Sequence, residues 1–60
     1  MNPEEAKVLI DRARGYVELK RTTEGFMVVD EKSAPPRMLG IGKTPTEAWL
    51  NAAARLGFTG

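Results

Sequence analysis

The chain contains no cysteine and no histidine. The first absence excludes disulfides, thiolate metal sites and thiol nucleophiles. The second removes the commonest general base and the commonest metal ligand. A nucleophile–base pair would have to come from lysine, tyrosine or a raised carboxyl. No carboxylate pair stands out for that work: Asp30 and Glu31 adjoin, but neighbours on a strand point to opposite faces. The expectation is a non-enzyme with no metal and no cofactor. An excess of charge of one sign is also lacking. Nine basic and eight acidic residues leave a net charge of +1, too balanced to predict nucleic-acid or membrane binding by itself. No apolar run approaches the roughly 20 residues a membrane span needs. The acidic start Met-Asn-Pro-Glu-Glu has no apolar leader stretch. A cytoplasmic protein that does not engage membranes is expected. Repeats and low-complexity tracts are absent too.

What is present is enough for one small core. Sixty residues make a single domain, spanning 1–60, near the lower limit for folding alone. Asn2 is an N-cap, Pro3 suits the first helical position, and Glu5 can close a capping box. Ala6, Leu9, Ile10 and Ala13 then recur at helical spacing. Arg12 and Arg14 suit the negative end of the dipole, and Gly15 a helix exit. The pattern predicts a helix from Pro3 to Arg14.

From Tyr16 to Arg21 the pattern alternates, with Val17 and Leu19 on one face and Tyr16, Glu18 and Lys20 on the other. Thr22-Thr23-Glu24-Gly25 is a turn. Phe26 to Asp30 predicts a second strand, Phe26 and Val28 on one face, Met27 and Val29 on the other, pairing as a hairpin with the first. Glu31 to Pro36 is a loop. Arg37 to Ile41 predicts a third strand, with Met38 and Leu39 facing opposite ways. A second helix is predicted from Pro45 to Leu56, capped by Thr44 and Glu47 and stopped at Gly57. The fold class follows: α+β, order α-β-β-β-α, a three-stranded antiparallel sheet with two helices packed on one face. The other face is left to solvent or to a partner.

Gly42-Lys43-Thr44 looks like the tail of a phosphate-binding loop, but the position of that motif's first glycine is Arg37. Gly40-Ile41-Gly42 is no dinucleotide fingerprint, since the third glycine position is Pro45. A tight turn and a capped helix are a sufficient account. Lys43 beside the free N–H groups of that helix is a candidate anion contact. Lys20 and Arg37 join it only if the hairpin ends and the loop before the third strand converge. Trp49 lies in the stripe with Ala52, Ala53 and Leu56 and packs on the sheet in one reading. In the other it is an exposed anchor for a partner, with Leu50 at the helix edge.

The element order and the run Gly40-Ile-Gly-Lys-Thr-Pro-Thr-Glu-Ala-Trp-Leu-Asn-Ala-Ala53 resemble the double-stranded-RNA-binding domain. Gly40, Gly42, Thr44, Ala48, Ala52 and Ala53 match its pattern. The resemblance implies its fold. The family's phosphate-clamping lysines fall at Pro45, Thr46 and Trp49, none basic, so it implies only weak nucleic-acid binding, with Lys43 as the nearby substitute. A looser resemblance, resting on the Thr-Pro-x-Glu-Ala helix start, is to small phage-encoded α/β sandwich domains and antitoxin-like domains. It implies a stand-alone protein of a phage or other mobile element, acting inside the host cell as anti-CRISPR proteins do.

The leading expectation is therefore a small non-enzymatic protein-binding module, an inhibitor or adaptor docking on a host protein or nucleoprotein. Its contact would use Tyr16, Glu18, Lys20, Met27 and Val29 on the open sheet face, or Trp49 and Leu50 on the flank of the last helix. The alternative is a nucleic-acid-binding domain using Lys20, Arg37 and Lys43. A homodimer would hide the same apolar flank.

Overall fold

The computed structural model describes residues 1–58. The order is α1 (Pro3–Arg14), β1 (Val17–Arg21), β2 (Phe26–Asp30), β3 (Arg37–Gly42) and α2 (Pro45–Arg55). This is the expected α-β-β-β-α domain, with the strands in sheet order β1-β2-β3, both pairs antiparallel. Boundaries move by one residue: Tyr16 lies before β1, β3 continues to Gly42, and Leu56 caps α2.

Both helix starts are fixed by side chains. The Glu5 N–H donates to Asn2 Oδ1 at 2.8 Å, and the Asn2 side-chain amide returns a bond to Glu5 Oε1 at 3.1 Å. The Glu47 N–H donates to Thr44 Oγ1 at 3.2 Å. The end of α2 closes on itself: the Gly57 N–H donates to the Ala54 carbonyl and the Phe58 N–H to the Ala53 carbonyl, with Gly57 at φ +88°. That pair of bonds is a Schellman closure, which needs a residue tolerant of positive φ.

The core lies between the sheet and the helices. Ala6, Ile10, Val17, Val28, Leu39, Ala48, Trp49, Ala52 and Ala53 form one buried cluster, with Leu19, Phe26, Leu50, Leu56 and Phe58 packed around it. Ile10 and Val28 are fully buried, each contributing about 1.5–3 kcal/mol of transfer free energy. The layer is uneven. α2 lies directly on β3, whereas α1 packs mainly on α2 and meets the sheet chiefly at β1. Consequently Ala13, expected in the apolar stripe of α1, is exposed, while Ala6 and Ile10 are buried.

The contact of α2 with β3 depends on two missing side chains. A Cβ at Gly40 would overlap the Ala52 backbone nitrogen and come within 2.7 Å of the Ala48 carbonyl oxygen. One at Gly42 would overlap Glu47 Cβ and come within 2.6 Å of the Ala48 nitrogen. Glycine in the strand and alanine in the helix therefore let two backbones meet. No helix of the described residues is long and apolar enough to cross a membrane.

Candidate interaction surface

The register places every side chain of the sheet. Val17, Leu19 and Arg21 pair with Asp30, Val28 and Phe26. These residues face the helices. Glu18 pairs with Val29 and Lys20 with Met27 on the opposite face. The β2–β3 pairing contains a bulge. Val28 pairs with Gly40 and Val29 with Met38, leaving Leu39 as the extra residue. A bulge re-aims the side chains beyond it. Strict alternation would put Leu39 and Ile41 together. Instead Leu39 is buried in the core, and Met38 and Ile41 both stand on the open face, 43% and 49% exposed.

That face is thus an apolar row of Met27, Met38 and Ile41 beside a polar edge on β1. Tyr16, 52% exposed, donates its hydroxyl to Glu18 Oε1 at 3.0 Å. The bond to Glu18, and the repulsion a phenolate would meet there, hold the Tyr16 pKa above its usual value. Lys20 Nζ meets Glu31 Oε1 at 2.8 Å. Glu31 accepts this bond and its charge favours the ammonium, which raises the Lys20 pKa. The Glu31 N–H donates to the Tyr16 carbonyl. The Lys20–Glu31 pair therefore reaches across the row that holds Glu18 and Val29. Val29, between its pairing partners Glu18 and Met38, is 5% exposed. Val29, expected as part of the contact, is covered by its own neighbours.

On the flank of α2 the sheet-packed reading of Trp49 holds, and the exposed-anchor reading does not. Trp49 is 7% exposed and belongs to the core cluster, because the close approach of α2 to Gly40 and Gly42 turns its stripe into the sheet. Leu50 is half-buried against the same core. Neither forms an exposed anchor in this fold. The outward side of α2 is polar or small instead, with Asn51, Ala54 and Arg55 exposed. The Asn51 side-chain amide donates to the Ile41 carbonyl at 2.7 Å, tying α2 to the outer strand.

Nor do the expected basic contacts converge. Lys20 is engaged with Glu31. Arg37 opens β3, whereas Lys43 follows its last residue. Six strand steps of about 3.3 Å separate them by roughly 20 Å. The mouth of α2 is also occupied from within. The Lys43 N–H donates to Glu47 Oε2 at 2.8 Å, one residue before the N-cap that a capping box would engage. Pro45 has no N–H, Glu47 N–H is used by Thr44 Oγ1, and Ala48 N–H by the Thr44 carbonyl. The carboxylate of Glu47 thus stands beside the N–H groups that an anion next to Lys43 would need.

Among the described residues Asp30 is the one buried charged group, 3% exposed. Its Oδ1 accepts from the Lys32 N–H at 3.0 Å and its Oδ2 from Ser33 Oγ at 3.1 Å, with Arg14 Nη1 4.0 Å away. These bonds compensate its desolvation and fix the loop into β3. Asp30 and Glu31 face opposite ways and serve different partners, as adjacent strand residues must.

Compared with known proteins, the chain matches no protein-family model, no curated protein and no solved structure.

Proposed function

We propose that this chain is a small non-enzymatic binding module that docks on another protein through the open face of its sheet. One observation carries the reading. The sheet is covered on one side only, and the bulge at Leu39 turns Met38 and Ile41 out beside Met27. Clustered exposed apolar side chains with a polar rim characterise protein interaction sites. Tyr16 and the Lys20–Glu31 pair supply that rim. The absence of histidine and cysteine supports binding over catalysis. The separation of Lys20, Arg37 and Lys43 favours a protein partner over a nucleic-acid duplex. An inhibitor or adaptor that covers a surface of its target would fit such a face.

The test is capture of proteins from source-cell extract by the purified chain, with two variants. Ile41→Glu places a charge in the apolar row, and Val8→Ser alters a side chain that is 52% exposed on α1, away from the sheet. The specific partner should be lost with Ile41→Glu and kept with Val8→Ser. A partner held equally by both variants overturns the docking face. Capture that collapses between low and moderate salt, together with binding to a short RNA duplex, would favour nucleic acid instead.

A further inference from the structure

We infer that the cleft between the C-terminal ends of the two helices and the start of β3 is a binding site for a phosphate group. The cleft has a volume of about 480 Å³ and is lined by Arg14, Arg37, Met38, Leu39, Arg55 and Leu56. Three arginines from three different elements therefore line one concavity. Arg14 comes from the last turn of α1, Arg37 from the first residue of β3, and Arg55 from the last turn of α2.

Helix dipoles account for only part of this. Arginine in a last turn is favoured by the negative helix end, which covers Arg14 and Arg55. It does not cover Arg37. Nor do the helix ends need these side chains as caps. Gly15 N–H closes α1 on the Asp11 carbonyl at 2.7 Å, and Gly57 and Phe58 close α2. The only carboxylate in ion-pair range, among the described residues, is Asp30, 4.0 Å from Arg14 and already accepting from Lys32 and Ser33. Among the described residues, Arg55 Nη1 meets the Met38 sulfur at 3.7 Å.

Charge selects the ligand. Among the described residues, three arginines against the single carboxylate of Asp30 leave the lining net positive. A phosphate carries about −1.5 to −2 at neutral pH, whereas a single carboxylate would leave the cleft charged. Guanidinium forks also match phosphate oxygens two at a time. The phosphate can belong to a small molecule or to a phosphorylated side chain; the chemistry read by the arginines is the same. The cleft shares Met38 with the proposed docking face, but its test needs no protein partner, so either can fail alone.

The experiment is a titration of isotope-labelled protein by NMR at constant ionic strength, with inorganic phosphate, acetate and a short phosphoserine peptide. Inorganic phosphate should move the signals of Arg14, Arg37, Arg55 and Leu39, and acetate should not. The response should strengthen from pH 5.5 to 7.5, through the second ionisation of phosphate near 6. Arg37→Gln with Arg55→Gln, both at exposed positions, should weaken binding by roughly tenfold or more, while Arg12→Gln should leave it unchanged. Tighter binding of the peptide than of inorganic phosphate assigns the site to phosphoproteins; equal or weaker binding assigns it to small phosphates. Equal shifts with acetate, or binding that survives the double substitution, overturns the proposal.

Discussion

On the helix side of the sheet, Val28 is fully buried and Gly40 touches the backbone of α2. On the other side, Met27, Met38 and Ile41 extend from the same two strands and remain at least partly in water. Hydrophobicity does not separate the two faces. What separates them is the presence of small residues where the helix must approach. Gly40, Gly42, Ala48 and Ala52 let α2 lie flat on β3, and that contact brings Trp49 into the core. The open face has larger side chains and no helix laid across it; of its apolar groups Met38, at the β3 edge, reaches Arg55 of α2. The motif that resembles an RNA-binding domain thus has a packing role in this chain, and the surface available to a partner lies behind it.

The comparison breaks first at Gly40. Gly40→Ala places a methyl group against backbone atoms of Ala48 and Ala52, which cannot rotate away. Overpacking of this kind costs about 1–3 kcal/mol, and a domain this small holds only about 3–5 kcal/mol in its core. The melting temperature should fall by about 4–24 °C, at about 4–8 °C per kcal/mol. Thermal unfolding followed by the fluorescence of Trp49, the only tryptophan, measures it directly. An unchanged midpoint would mean that α2 does not sit this close to β3.

The fold was legible because its signals are local. Asn2-Pro3-Glu5 and Thr44-Pro45-Glu47 announce both helices by their caps, and alternation in Val17–Arg21 and Phe26–Asp30 announces the hairpin. The site was legible only in part, because it depends on a bulge. One extra residue at Leu39 leaves no trace in composition, yet it decides that Met38 and Ile41 face outward together. A signal was available: two glycines at positions 40 and 42, both facing the helix, place Ile41 on the other side. The helical wheel offered the burial of Trp49 as one of two readings, because it gives the stripe but not what covers it. The arginine cleft lay further out of reach, since it needs the ends of three separate elements to meet.

A milder perturbation sharpens the same contrast. Ile41→Glu changes a half-exposed residue on the open face. It should lower stability by no more than about 1 kcal/mol, the span of strand propensity at an exposed site. Chemical denaturation of this variant beside Gly40→Ala compares the two faces within one strand. A loss as large as that of Gly40→Ala would show that the open face is part of the folding core, leaving loss of partner by this variant uninformative about docking.

The smallest expected effect lies at the polar edge of the open face. Tyr16 is the only tyrosine, so absorbance near 295 nm reports its ionisation alone. Its hydrogen bond to Glu18, and the repulsion between that carboxylate and a phenolate, raise its pKa above 10.0. A pKa raised on folding means that the neutral phenol is the form the fold favours. The resulting stabilisation is complete below the unfolded pKa and disappears as pH rises through the folded one. The midpoint should therefore lie higher in the folded protein than in denaturant, and Glu18→Ala should remove the difference. Identical midpoints would mean that Tyr16 swings free of Glu18 in solution. The rim would then present a mobile ring to a partner, and binding would have to order it.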